Sequence, residues 1–464
     1  MSQLLLAADA PVYAVDSGNA AWMLASAALV LLMTPGLAFF YGGMVRVKNV
    51  LNMLMMNFIC MAVVSVLWTF YGFSIAFGTS KANGLWGWTS QFVGLGNPDV
   101  LNSVWTGGGL GGVIGTAIPS GAIAGAGVPV LVFSMFQLMF AIITPALISG
   151  AIADRPKFWA WTLFVGLWVT LVYFPVANWV FGTGWILNKL HAEDFAGGTA
   201  VHINAGAAAL ALIFVLGKRK GWRKDPMKPH NVPFVMLGAG LLWFGWFGFN
   251  AGSEGGADQI AGLAFTNTTV ATAAATLGWL LVEQIRDGKP TTIGAASGAV
   301  AGLVAITPAC AFVSPMGGII IGFLAGIICA LAVSLKFRFG YDDALDVVGV
   351  HLVGGITGTL LIGFLGYDHG YGKQRGLFYG GGLSLLGKQA LAAAVVLVFS
   401  FVVAFILGKI IDMTIGFRVS EEVELEGLDE NEHAETAYNF SVVTGGGLSS
   451  SSTTMTSTAM KESV

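Results

Sequence analysis

Charge is what this sequence has least of. Only 10% of its 464 residues are Asp, Glu, Lys or Arg and 55% are hydrophobic, where soluble domains carry roughly 25% charged residues. With a mean hydropathy of +0.77, the chain cannot cover itself with a polar surface in water. The net charge of −3 is too small to suggest nucleic acid, and no basic or aromatic tract supports that partner. Cysteine is scarce too: Cys60, Cys310 and Cys329 sit in apolar runs without metal-type spacing and read as small buried hydrophobes. No disulfide, metal or cofactor is expected. The opening "MSQLLLAADAPVYAVDSGNAAW" has no basic residues before its short apolar patch, which speaks against a cleaved signal peptide. The glycine-rich "TGGGLGGVIGTAIPSGAIAGAG" within the loop from about Thr79 to Gly127 lacks a Gly-Lys-Ser/Thr ending. A flexible or partly re-entrant loop is expected there rather than a phosphate cradle. With no His-Glu-x-x-His pattern and no nucleophile elbow, an enzyme is not expected.

What the chain has is long apolar runs. About 20 such residues cross a ~30 Å hydrocarbon core. Eleven runs meet that length, centred on residues 20–43, 51–77, 128–152, 158–181, 198–217, 233–252, 260–283, 293–312, 315–335, 345–366 and 389–413. The expected fold is an all-α polytopic membrane protein of eleven transmembrane helices. The 65 glycines suit close approach of helix backbones in lipid. The turns after spans 1, 3, 5, 7 and 9, with Lys409, Arg418 and Lys461, hold 17 of the 22 Lys and Arg. Positive residues concentrate on the cytoplasmic side, so the N-terminus is expected outside and the C-terminus inside, in the cell membrane. Residues 1–19 then form a short extracytoplasmic segment, 20–414 the membrane domain, and 415–464 a cytoplasmic regulatory tail.

Two ionisable pairs interrupt the apolar pattern. In "DFAGGTAVHINAG" Asp194 precedes His202 by eight residues, and in "DALDVVGVHLVGG" Asp343 precedes His351 by the same interval. The pairs lie five crossings apart, so their helices run in opposite directions. That is the pattern of an inverted five-helix repeat, spans 1–5 and 6–10, followed by an eleventh helix; such repeats put functional sites near mid-membrane. Eight helical residues rise about 12 Å, enough to carry each histidine from an interface towards the bilayer centre. Each Asp sits where a carboxylate can cap a helix start, which is the plain reading of Asp194 and of its repeat-related acid Asp343. A lone histidine on an apolar face is usually a satisfied core residue. Two at matched positions point to a pore or proton relay, because intramembrane ionisable groups mark conduction paths.

"DFAGGTAVHINAG", together with "WFGFNAGS" and "DVVGVH", resembles the ammonium transporter family, which includes the methylammonium permeases and Rhesus glycoproteins. The resemblance extends over roughly residues 18–440, and the bacterial-type branch is the more similar. It implies that His202 and His351 are the twin histidines of a narrow hydrophobic pore. Phe140 and Phe249 take the place of the stacked phenylalanines that gate its outer entrance. An external ammonium site would be formed by Phe136, Phe140 and Ser253, with Asp194 as the buried acid that shapes it. The family's usual Trp after span 4 is replaced by Phe181 in "ANWVFGTGWILN", with Trp179 and Trp185 close enough to substitute. A homotrimer with one pore per subunit is also implied, with ammonium or ammonia as substrate and methylammonium as its analogue.

These residue types suit that cargo. Aromatic faces attract a small cation, and a hydroxyl such as Ser253 accepts one of its N–H groups. An acid in direct contact would also bind potassium, so Asp194 serves better from behind, as a cap. Deeper in, a bare charge costs at least about 2.5 kcal/mol. Deprotonation removes that cost, and imidazoles titrate near neutrality. Taken alone, the "WFGFN" aromatics are ordinary helix packing. His191 and His369 belong to outer loops, and His230 to a basic inner loop where it faces water.

After span 11, "VSEEVELEGLDENEHAETAYNF" carries eight acids in Glu421–Glu435 opposite the basic Lys218–Lys228 loop, so docking of the two is expected. The low-complexity end beyond about residue 442 is expected to be disordered. The tail resembles the family's regulatory C-terminus, which implies a PII-type signalling partner on the inner face. Two other functions remain open: an ammonium sensor of the same fold, and a channel for another small neutral solute such as carbon dioxide or urea.

Overall fold

The computed structural model describes residues 15–101, 104–106, 127–368, 372 and 374–438. Among these are ten helices long and apolar enough to cross a membrane: α1 (Ser17–Met44), α2 (Val47–Phe77), α3 (Val130–Ile152), α4 (Phe158–Val180), α5 (Gly198–Leu216), α6 (Val232–Glu254), α7 (Gln259–Asp287), α9 (Pro315–Phe339), α10 (Val348–Leu365) and α11 (Ser384–Thr414). The eighth expected span, 293–312, is cut short. Its helix α8 covers Thr292–Ile306 only, about 22 Å at 1.5 Å per residue, and the chain then turns through buried Thr307–Val313. Pro308 lies in that turn, as a ring that cannot continue a helix should. The turn has a structural use: the Pro308 carbonyl accepts the Phe195 N–H at 3.1 Å, and its ring lies against Gly198, where a Cβ would come within 2.5 Å.

Helix starts are set by local side chains. Asp16, Asn231, Asp258, Thr291 and Ser314 each accept a first-turn N–H of α1, α6, α7, α8 and α9, satisfying donors that have no intrahelical partner. Glycines then let the helices approach. A Cβ at Gly238 in α6 would lie 2.3 Å from the Phe40 nitrogen of α1, and one at Gly322 in α9 would lie 2.0 Å from the Ala271 carbonyl of α7. Both pairs exclude any side chain at the crossing, the small-residue packing that lipid-embedded helices use.

Burial ranks the helices. In α5 89% of the most apolar window is buried, in α11 only 33%, so α5 is central and α11 peripheral. The outward face of α11 shows Leu391, Val398, Val402, Ile406 and Ile410 to the surroundings. An apolar surface of this extent on every side is what a bilayer covers. The three cysteines are buried, as small hydrophobes in apolar runs should be.

Between α2 and α3 the described residues form two small antiparallel ribbons: β1 (Ser80–Lys81) with β2 (Trp86–Gly87), and β3 (Val104–Thr106) with β4 (Gly127–Pro129). The glycine-rich stretch 107–126, His369 and everything beyond residue 438 lie outside the described residues. Two short helices, α12 (Glu421–Glu426) and α13 (Leu428–His433), carry the tail back across the basic end of the bundle.

Candidate functional site

Helix α5 begins on a carboxylate. Asp194, 2% exposed, accepts the backbone N–H groups of Gly197, Gly198, Thr199 and Ala200 at 2.8, 2.7, 2.7 and 3.3 Å, and the Thr199 hydroxyl as well. Its charge therefore rests on the positive end of the helix. Gly197 turns the chain into the helix with φ 122°. The first turn, Gly198–Ile203, is a π-helical turn, a widened form often met at functional sites, and it contains His202. Helix α10 repeats the plan from the opposite end. Asp343 accepts the N–H groups of Val347 and Val348 at 3.1 and 2.8 Å, and a π-helical turn, Val348–Leu352, contains His351. Burial and the neighbouring Asp346 push the Asp343 carboxyl up to about 6, while Lys336 draws it back.

The two histidines meet in the middle. Their Nδ1 atoms are 3.3 Å apart, and the rings lie 5.4 Å between centroids at 17°. Since one of the two nitrogens must donate, the pair holds one proton between them. His202 Nε2 has no partner among the described residues. It lies at a cavity of about 10 Å³ bordered by His351, Trp246, Phe249, Leu242 and Val300, space for about one water-sized molecule. Trp246 stacks on His202 at 5.5 Å and 18°, and it is anchored by its indole N–H to Thr307 Oγ1 at 2.8 Å. The shortened α8 thus supplies a fixing point for a ring of the site.

Phe140 and Phe249 close this space towards the end of the bundle where α5 begins. Their rings are 4.2 Å apart at 39°, and both are 1% exposed. On the other side of Phe140 lies a second, more open cavity of about 30 Å³, bordered by Phe136, Phe140, Phe181, Ser253 and Trp105. The sequence-expected Phe136, Phe140, Phe181 and Ser253 are therefore gathered around one space, and Phe249 and the histidines around the next. The Ser253 hydroxyl donates to the Phe249 carbonyl at 2.7 Å, which leaves its lone pairs to accept. Asp194 borders neither cavity and stands behind, as a cap.

Two expectations need correcting. Neither Trp179 nor Trp185 borders the outer cavity: Trp179 donates its indole N–H to the Leu85 carbonyl at 2.6 Å and packs on Phe399. The tryptophan there is Trp105, delivered by β3 from 76 residues upstream of Phe181. His230 is not simply hydrated; its ring bridges the Val45 carbonyl and the Tyr438 hydroxyl, both at 3.0 Å. Trp246 was also missed, although its three-residue spacing from Phe249 puts both on one helix face.

The basic end is closed by a buried ion network. Asp342 accepts from Arg219 at 2.8 and 3.0 Å and faces Arg155 at 3.5 Å. Burial pushes the Asp342 carboxyl upward, but the Arg219 bonds and both guanidinium charges hold it below the usual range. The tail joins in: Glu424 pairs with Arg418 at 2.5 Å and accepts the Lys220 N–H at 2.6 Å, and Glu421 pairs with Lys220. Near the other end, burial raises the Glu193 carboxyl to about 7.

The Ammonium Transporter Family profile matches residues 21–438. A protein named ammonium transporter from Mycobacterium tuberculosis (strain H37Rv) is 58% identical over 450 residues, 93% of this chain and 92% of its own. Saccharomyces cerevisiae Mep2 superposes with a TM-score of 0.77 at 33% identity, covering 88% of this chain and 91% of its own. A structure titled "Sensor Amt Protein" gives 0.77 at 28% identity, covering 90% and 98%.

Proposed function

The chain belongs to the ammonium transporter family, and from that membership we propose that it carries ammonium or ammonia across the cell membrane through the path just described. The family is one of transport proteins, not enzymes. The single observation that carries the mechanism is the sequence of spaces: an aromatic cavity with a hydroxyl, then a phenylalanine pair, then two imidazoles 3.3 Å apart in an apolar cavity. Ammonium enters the outer cavity, where ring faces attract its charge and Ser253 accepts an N–H. Asp194 orients α5 from behind without touching the ion. At Phe140 and Phe249 a charged species meets apolar walls and a space for about one water-sized molecule, so the nitrogen passes as ammonia. His202 and His351 accept, hold or relay the proton. Potassium has no proton to lose and is refused.

The same reading arranges the molecule in its membrane. The N-terminus is outside and the tail inside, α8 with the turn after it makes the eighth of eleven crossings, and α1–α5 and α6–α10 form an inverted repeat. The matched Asp–His caps at opposite ends of the bundle support that repeat. A homotrimer and a PII-type partner on the docked tail follow the family pattern.

Reconstitution in liposomes tests the function. Adding ammonium or methylammonium should give a saturable current or internal pH change above that of empty vesicles; no flux above background would remove the transport reading. The likeness to a sensor favours a second reading, in which ammonium occupancy is signalled through the tail; strong flux weighs against it.

A further inference from the structure

We propose that Trp105, carried by a short ribbon between helices, is the principal cation-attracting ring of the outer cavity. The proposal rests on the reading of that cavity as an ammonium site and names the residue that sets its affinity.

Three observations carry it. First, Trp105 is 4% exposed although it lies on a short ribbon between helices, and it borders the cavity with Phe136, Phe140 and Ser253. Among the described residues that do so it is the only tryptophan, the side chain whose ring face attracts cations most strongly. Second, the ring is held in place. One face stacks on Phe133 at 4.4 Å and 21°. The backbone pairs Trp105 with Val128 in β4, which runs directly into α3, the helix that carries Phe133, Phe136 and Phe140. Third, the opposite wall is cut to fit. Gly255 follows Ser253 by two residues, and a Cβ there would come within 2.2 Å of the indole. Its φ of 78° suits glycine as well.

Liposome currents over a range of ammonium concentrations separate affinity from rate. Replacing Trp105 by Leu keeps bulk and removes the π face, and should raise the half-saturating concentration about tenfold, with Trp105→Phe intermediate at about threefold, from the usual strength of cation–π contacts. Maximal current should stay within about twofold, and Gly255→Ala, which pushes the ring aside, should shift half-saturation in the same direction. Wild-type half-saturation in Trp105→Leu, or a loss of maximal current alone, overturns the assignment. If the Leu variant does not assemble, Trp105→Phe decides by itself, an unshifted value counting against the proposal. Ser253→Ala and Phe181→Leu separate the two levels. Shifts in these with none at Trp105 leave the cavity as the ammonium site and remove only Trp105; no shift in any of them removes the site itself.

Discussion

At the scale of the residue, the molecule turns on buried polar groups whose partners can be counted. Asp194 satisfies four backbone N–H groups and a hydroxyl. In Asp194→Asn one oxygen becomes an amine facing donors, leaving buried N–H groups unpaired at about 1–3 kcal/mol each. We expect a fall in thermal stability of several degrees and loss of transport, measured by unfolding in detergent and by flux in liposomes. Glu193 makes a second prediction. Its folded-state value of about 7 lies above the ordinary carboxyl value of 4.5, so the native state binds more protons between those limits and stability falls as pH rises through them. Asp342, held low, acts in the other sense: its contribution is present above the ordinary carboxyl range and is lost as pH falls through its depressed value. Glu193→Gln should flatten the decline between pH 5 and 7 in a melting series; an unchanged slope would show that other groups cause it.

At the scale of the element, the contacts are made by absence of side chains. Gly322 sits against the Ala271 carbonyl and Gly278 against that of Phe323, so α7 and α9 touch backbone to backbone. Gly322→Val should cost about 1–3 kcal/mol through overpacking, seen as a lower melting temperature, whereas Gly262→Val, at an open position, should cost little. Most element positions were legible in the sequence because long apolar runs have one solution in a bilayer. The matched Asp–His spacing was legible for the same reason: charge stands out in an apolar chain. The π-helical turns that hold His202 and His351 were not, since they depend on how α5 and α10 meet. Nor was the turn at Pro308: the proline was visible, but its use in receiving Phe195 and Gly198 is a tertiary fact. Trp105 carried no local signal, because a ribbon register and a glycine 150 residues away bring it to the cavity.

At the scale of the whole molecule, the two ends differ in kind. One end opens through aromatic rings, and the other is tied by arginines, aspartates and the returning tail. Charge complementarity between the tail and the Lys218–Lys228 loop was readable from composition, and Glu421 and Glu424 give it contacts at Lys220. Removing Glu424, which is fully buried, leaves Arg418 without its carboxylate. Arg418 is partly exposed, so Glu424→Ala should destabilise by about 1–3 kcal/mol, through loss of a charge-assisted bond and of the acceptor for the Lys220 N–H, and loosen the tail to protease. The central claim is that the nitrogen crosses without its charge, between two imidazoles in an apolar space. Its most direct test is the current carried by liposomes bearing the wild-type protein or the His202→Ala, His351→Ala double variant, given ammonium or potassium. The account predicts ammonium current and no potassium current for the wild type, with the double variant losing the ammonium current or admitting potassium. Unchanged ammonium current and unchanged potassium rejection in the double variant would contradict it.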